Sequence, residues 1–345
     1  MMRIALDAMG SDNYPVPDVA GAVLAAREFG DTIYLVGDEA QITRELSKHD
    51  TANLNLIVQH ASQVVTMEDK PSTVGKNKPD SSMHVGMKLV RDGLADAFVT
   101  AGNTGAALSI ATLYTLKRIP GVKRPALSAI VRLMNHDIII LDVGANADSK
   151  PEWVAQFALM GKIYAKQALG LKAPRVALLS NGEEEGKGNQ IIHDTAALLK
   201  TSDLNFIGNV EPKDMLKGEV DVVVADGFVG NILIKSLESA TSMLVSVLRD
   251  ELMKDVFSKV GGLLSRPAFR RVRKQIDPFE IGGAPLLGVN GVVIIGHGRS
   301  NANAIKNAIR QARLAVQGNL IEAIRQGVSD TEVGLSDQPE DSERR

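Results

Sequence analysis

Hydrophobic residues along the chain fall into two alternating patterns: short continuous apolar runs, and longer stretches in which apolar positions recur every three or four residues. The first pattern marks strands buried on both faces and the second marks the helices that cover them. Their alternation predicts an α/β fold with a parallel or mostly parallel sheet covered by helices. Strands are expected at 4–8, 33–37, 54–58, 97–101, 128–131, 138–143, 176–179, 205–208, 220–225 and 291–296, most of them rich in Val, Ile and Leu. Helices are expected at 17–29, 81–92, 104–117, 152–168, 189–199 and 301–325.

Two segments break this rhythm. Within 230–276, Leu237, Thr241, Leu244, Leu248, Leu252, Val256 and Val260 keep helical spacing, which predicts one unusually long amphipathic helix. That helix is expected to end at Val260-Gly261-Gly262-Leu263-Leu264, with Pro267 opening a second helix, so that 231–276 forms a helical hairpin with an apolar tip. Lys254, Lys259, Arg266, Arg270, Arg271, Arg273 and Lys274 surround that tip and only Asp255 opposes them, a local charge of 7 − 1 = +6. The stretch 327–345 carries six acidic residues, two arginines and little that is apolar. It reads as a solvated, disordered acidic tail, which leaves 1–326 as one α/β unit, of a length that allows either a single body or two lobes.

Composition narrows the function. With 39 Lys plus Arg against 41 Asp plus Glu the net charge is −2, which argues against generic nucleic-acid binding. The chain has no cysteine, which excludes disulfides, thiolate nucleophiles and cysteine-ligated metals, and makes the cell interior the default compartment. The first residues, with Asp7 among them, lack the basic head and apolar run of a secretory signal and read as a strand. No run of about 18 apolar residues is present to span a bilayer.

The chemistry concentrates in small polar, glycine-containing turns that follow the expected strands: Asp7-Ala8-Met9-Gly10-Ser11-Asp12, Ala101-Gly102-Asn103-Thr104-Gly105, Asp142-Val143-Gly144-Ala145-Asn146, Asp226-Gly227-Phe228-Val229-Gly230-Asn231 and Gly296-His297-Gly298-Arg299-Ser300. In an open α/β sheet such strand ends converge on a ligand crevice. Glycines let backbone N–H groups approach the ligand, and helix N-termini favour an anion, so the ensemble suits phosphate. The segment 182–188 resembles a P-loop but is one residue short between its glycines and has Gly188 where Ser or Thr must ligate magnesium. In the turn after the last expected strand, Asn301 replaces the third glycine of a dinucleotide fingerprint. The histidines at 49, 60, 84, 136, 193 and 297 show no paired ligand spacing, so the pattern supports neither a metal nor a cofactor.

Taken in order, Asp7-Ala-Met-Gly-Ser-Asp12, Ser81-Ser82-Met83, Ala101-Gly-Asn-Thr-Gly-Ala106, Asp142-Val-Gly-Ala-Asn146, Lys187-Gly188-Asn189, Asp226-Gly-Phe-Val-Gly-Asn231 and His297-Gly298 resemble the bacterial phosphate acyltransferases of phospholipid synthesis, over residues 3–325. The resemblance implies a fold similar to isocitrate and isopropylmalate dehydrogenases and to phosphate acetyltransferase, in a homodimer. It implies synthesis of acyl phosphate from inorganic phosphate and a long-chain acyl group on acyl carrier protein, the product feeding glycerol-3-phosphate acylation. The chain departs from the family's pattern at Gly10-Ser11, Asn13-Tyr14-Pro15, Ser180 and Lys76-Asn77-Lys78-Pro79.

A thioester is already activated, so phosphate can attack it directly when both are held together, and no enzyme thiol is required. Under this resemblance the catalytic candidates are Lys187, Asn231 and His297, as donors to phosphate and to the developing oxyanion; His297 can alternatively deprotonate phosphate. Asn103, Thr104, Gly105, Asn146, Lys235, Gly298, Ser300, Gly10 and Gly227 are expected to line the crevice. Asp7, Asp142 and Asp226 are expected to orient donors or cap helices, because bare carboxylates repel phosphate. Val260, Gly261, Gly262, Leu263 and Leu264, with Arg270 and Arg271, are candidates for peripheral contact with an anionic membrane; a dimer interface or an intramolecular arm are the alternatives. The basic patch also suits acidic acyl carrier protein. An acetyltransferase using acetyl coenzyme A, a dehydrogenase and a non-catalytic membrane-associated binding protein are the competing functions.

Overall fold

The structure is a computed structural model that describes residues 1–133, 136–276 and 278–336. Its strands are β1 (Arg3–Asp7), β2 (Thr32–Gly37), β3 (Leu56–His60), β4 (Ala97–Thr100), β5 (Ala126–Leu133), β6 (His136–Leu141), β7 (Val176–Leu179), β8 (Phe206–Val210), β9 (Val222–Val224), β10 (Ala284–Leu287) and β11 (Val292–Ile295). Among the described residues they form one 11-stranded sheet in the order β3-β2-β1-β4-β11-β10-β5-β6-β9-β7-β8. β10 pairs antiparallel with β11 and β5, and β5 pairs antiparallel with β6; the other pairings are parallel. The expected mostly parallel α/β sheet is what the chain forms.

Why the strands read as unbroken apolar runs is visible in the burial. Ile4 and Leu6 of β1 enter one core and Ala5 the other; Ala97 and Val99 of β4 face one side and Phe98 the opposite one. Ile139 and Leu141 alternate in the same way with Ile138 and Ile140 in β6. A pleated strand sends successive side chains to opposite faces, so covering both faces demands apolar residues at every position. One face is covered by α1 (Val16–Phe29), α6 (Pro151–Leu169), α11 (Ala302–Gln317) and α12 (Leu320–Ser336), which bring Val19, Phe157, Tyr164, Ile305, Ile309 and Ile324 into the first core. The other is covered by α4 (Ser82–Arg91) and α5 (Thr104–Ser109), through Met83, Met87 and Ala106, and by the start of α9 (Gly227–Leu252), through Leu233 and Ile234. Each large apolar side chain so buried contributes about 1.5–3 kcal/mol.

Several expected boundaries are corrected. β10 was not expected, nor were α2 (Glu39–Leu46), α3 (Pro71–Asn77) and α8 (Pro212–Met215). The helix expected at 301–325 is two helices, because Asn319 adopts the left-handed backbone (φ 49°) between α11 and α12. The long helix does not end at Val260–Leu264: α9 stops at Leu252, and α10 (Val256–Ile276) runs straight through Gly261, Gly262 and Pro267. Asp255 sets the break, accepting hydrogen bonds from Ser258 N (2.9 Å) and Ser258 Oγ (2.6 Å) as a cap does. The two successive helices are thus separated at 253–255, and the Val260–Leu264 segment expected at their junction lies on the second helix. The tail expected from 327 is corrected as far as Ser336: Val328 is buried in the first core and α12 continues to that residue. Residues 337–345 of that expected tail, and the side chains of Arg273 and Lys274, lie outside the described residues. Among the described residues no helix is long and apolar enough to cross a membrane.

The start of α9 packs against the turn after β6 at very short range. A Cβ at Gly230 would lie 1.9 Å from Asp142 O, whereas one at Gly261 would meet nothing. Gly230→Ala is therefore expected to destabilise by at least the ~1–3 kcal/mol typical of overpacking. Gly261→Ala should be neutral or stabilise by up to about 1 kcal/mol through helix propensity. Urea unfolding of the two variants checks this, and equal midpoints would overturn it.

Candidate active site

The sheet order brings the turns after β1, β4 and β11 side by side. Asp12 N donates to Gly298 O (2.7 Å), Gly296 N to Thr100 O (2.7 Å), and Thr100 Oγ1 to Asp7 Oδ2 (2.7 Å). A Cβ at Gly10 would lie 3.0 Å from Ala101 N, and one at Gly298 only 2.5 Å from Asp12 Oδ1, so both glycines serve the close approach of these turns. A second cluster joins the turns after β6 and β9: Gly227 N donates to Asn146 O (2.9 Å), and a Cβ at Gly227 would lie 2.4 Å from that oxygen.

The three aspartates organise backbone. Asp142 accepts from Leu127 N (3.0 Å), Gly144 N (3.2 Å), Ala145 N (3.0 Å) and Asn146 N (2.7 Å); Asp226 caps α9 by accepting from Phe228 N (3.0 Å) and Val229 N (2.9 Å). Asp7 accepts from Met9 N (3.1 Å) as well as from Thr100. Burial pushes the Asp7 and Asp142 carboxyls above the usual range, and the hydrogen bonds they accept pull the other way. Asn103 caps α5 through Ala106 N (3.0 Å) and ties the loop at 66–69 through its amide, and Asn146 Nδ2 is held by Pro125 O (2.8 Å). Both amides are thus committed to the scaffold.

Between the two clusters lies a cavity of about 500 Å³. Of the expected residues, Thr104, Gly105, Asn231, Lys235 and His297 line it, and Gly298 lines an open shelf beside it. Asp7, Gly10, Asn103, Asp142, Asn146, Asp226, Gly227 and Ser300 do not line the cavity and hold its walls from behind. Lys187 is exposed on the loop after β7, outside the cavity, where its carbonyl accepts from Asn209 Nδ2 (3.2 Å). One wall is apolar, formed by Leu127, Ile130 and Val131 of β5, Ile234 and Leu237 of α9, and Ile281.

Glu238 was missed. Its carboxylate stands 3.0 Å from His297 Nε2 and 3.0 Å from Lys235 Nζ. Chiefly the His297 hydrogen bond, and secondarily Lys235, pull its pKa down to about 2 against the opposing effect of burial. The sequence did hold a signal: Asn231, Lys235 and Glu238 are spaced four and three apart and so share one helix face. Arg132 and Arg299 also line the cavity. Among the described residues one carboxylate trio, Glu183, Glu211 and Asp214, has ligand atoms within 4.8 Å of one another. Lys213 pairs with the first two and Lys217 with the third, so their charge is already met, and none lines the cavity.

A sequence family described as "Fatty acid synthesis protein" matches residues 2–323. Proteins named phosphate acyltransferase from Trichlorobacter lovleyi and Geotalea uraniireducens are 46% and 49% identical to the chain, over 95% and 90% of it and the same shares of their own lengths. The chain belongs to the phosphate acyltransferase family. A phosphotransacetylase from Streptococcus pyogenes superposes with a TM-score of 0.58 at 18% identity, covering 95% of this chain and 94% of that one. At that identity the likeness is one of fold, which the acyltransferase shares with it.

Beneath the first turn, Asp18 is fully buried; Ser11 Oγ donates to its Oδ2 (2.5 Å) while Oδ1 has no partner among the described residues. Burial pushes this carboxyl from 3.8 up to about 8. A raised carboxyl leaves stability intact below its unfolded pKa, and that stability is lost as pH rises through the window from 3.8 to about 8. Asp18→Asn removes this loss, so the variant should gain stability relative to wild type as pH rises from 4 toward 8 in denaturant titrations. A difference that stays constant across the window would refute the assignment.

Proposed function

We propose that the chain makes acyl phosphate by moving a long-chain acyl group from acyl carrier protein to inorganic phosphate, for phosphatidic acid and phospholipid synthesis. The observation that carries this is a single cavity in which His297, Lys235, Arg299, Asn231 and Thr104 face the apolar wall of Leu127, Ile130, Val131, Ile234 and Leu237. Cationic and polar groups suit phosphate, and the apolar wall suits an alkyl chain. The family's name and its description as a fatty acid synthesis protein support the same chemistry.

In this scheme phosphate oxygen attacks the thioester carbonyl carbon, the carbon–sulfur bond breaks, and the carrier leaves as its thiol. Because phosphate itself is the nucleophile, no acyl group need be carried on the enzyme, in keeping with a chain that has no cysteine. His297 takes the proton that dihydrogen phosphate gives up and returns it to the departing sulfur. Asn231, Lys235 and Thr104 steady phosphate and the oxyanion that forms on the carbonyl. Lys187, exposed outside the cavity, is assigned to the approach of substrate.

The test is incubation with palmitoyl acyl carrier protein and phosphate, trapping acyl phosphate with hydroxylamine while free carrier is followed. Phosphate-dependent formation of both products is expected; a preference for acetyl coenzyme A would replace this function with that of an acetyltransferase. His297→Ala should lower kcat by about 100-fold or more, whereas Lys187→Ala should act on KM. Normal turnover of His297→Ala at every pH would remove it from the chemistry.

The hairpin is proposed to bring the enzyme to the inner face of the cell membrane. Phe257, 90% exposed, and Leu264, 77% exposed, stand with Val256, Val260 and Leu263 on α10, among Lys254, Lys259, Arg266, Arg270 and Arg271. Basic residues at an anionic surface contribute about 1 kcal/mol each. Met243, Leu244, Val247 and Leu248, exposed on α9, are assigned to contact with a second copy in a homodimer. Flotation with anionic vesicles should carry the wild-type protein and leave Phe257→Glu behind, and sedimentation should give twice the 36.9 kDa chain mass. Equal flotation of both proteins, or a monomer, would overturn the respective assignment.

A further inference from the structure

Glu238 is the one carboxylate among the described residues that line the cavity, an odd neighbour for a site that must attract an anion. It is largely enclosed, its side chain 17% exposed, and its contacts with Lys235 Nζ and His297 Nε2 each close at 3.0 Å. An ionised carboxylate carries only lone pairs, so on the contact between Glu238 Oε1 and His297 Nε2 the proton belongs to the ring nitrogen. Among the described residues no group hydrogen-bonds the other ring nitrogen, Nδ1. When the imidazole is neutral, Nδ1 therefore carries the lone pair.

We infer that Glu238 is the positioning residue for His297: it holds the ring by Nε2–H, so that Nδ1 is the atom that receives the proton from phosphate. The inference rests on the proposed attack of phosphate on the thioester. In balance, dihydrogen phosphate gives one proton to Nδ1 as its oxygen forms the new bond to the carbonyl carbon. The carbon–sulfur bonding pair leaves on sulfur, and the Nδ1 proton follows it to give the thiol. Nε2–H stays on Glu238 throughout. The same carboxylate anchors Lys235, which keeps that ammonium beside the imidazole in place of swinging into solvent from its exposed position on α9.

The test uses the full chain in two readouts. Nitrogen-15 spectra of the labelled histidines, assigned by comparison with His297→Ala, should show His297 as the Nε2–H tautomer in the wild type and as a mixture in Glu238→Ala. Glu238→Ala should lower kcat roughly 10- to 100-fold with little change in the KM for the acyl donor, and Glu238→Gln, which keeps an acceptor oxygen in place, should recover part of that loss. A wild-type Nδ1–H tautomer, or a Glu238→Ala kcat within about twofold of wild type, overturns the inference. If Glu238→Ala does not fold, the wild-type tautomer and the Glu238→Gln kinetics decide. Slow turnover of His297→Ala with normal turnover of Glu238→Ala fails this inference alone; normal turnover of both fails the proposed proton acceptor with it.

Discussion

The cavity depends on how closely α9 approaches the turn after β6. Asp142, buried at the end of that strand, gathers four backbone N–H groups into a fixed knot, and Gly230 rests on its carbonyl with no room for a methyl. Asp226 then caps the helix that leaves this contact. A helix so anchored has its direction and its rotation set at the first turn, and everything further along follows from 3.6-residue geometry. Asn231, Lys235 and Glu238 are delivered to the crevice because Gly227 and Gly230 hold the helix where it starts. A carboxylate that would repel phosphate if bare is here consumed by amides and becomes part of the wall.

The sheet was legible because both of its faces are buried: runs such as Ile138 to Leu141 must be apolar at every position, and nothing else in a chain of this composition produces them. β10 escaped because it pairs through only four residues, carries Pro285, and follows Gly282 and Gly283, so that it has neither the length nor the composition of a central strand. Helix ends failed where local signals competed. At the hairpin, Gly261, Gly262 and Pro267 are strong punctuation, yet Asp255 capping Ser258 fixes the break earlier and α10 accommodates all three. At the C-terminal end, an acidic composition hid Val328, a single residue whose burial prolongs the helix.

For the site, sequence order was the better guide to which turns meet than to which side chains point inward. Asn103, Asn146 and Ser300 sit in the right turns, but the first two spend their amides on carbonyls of neighbouring loops and none of the three lines the cavity. Motif residues of this kind are needed for the wall's shape, which a linear pattern cannot separate from contact with a ligand. Glu238 is the converse case. It belongs to no glycine-rich turn, stands inside an ordinary amphipathic helix, and gains its role only when folding sets β11's final turn against that helix.

That arrangement also resolves an electrostatic difficulty. A cavity lined by Lys235 and Arg299 with no carboxylate among its walls would set like charges against each other before any anion arrived. Glu238 offsets this by bridging Lys235 and His297, and its strongly lowered pKa is the measure of how much the two partners favour its charge. Arg132 is paired with Asp137 (2.8 Å), whereas Arg299 has no ion pair among the described residues, so it is Arg299 that keeps positive charge in the cavity while the imidazole is held in one orientation. Neutralising Lys235 locally, with Arg299 left free, lets one small crevice be stable when empty and still present positive charge.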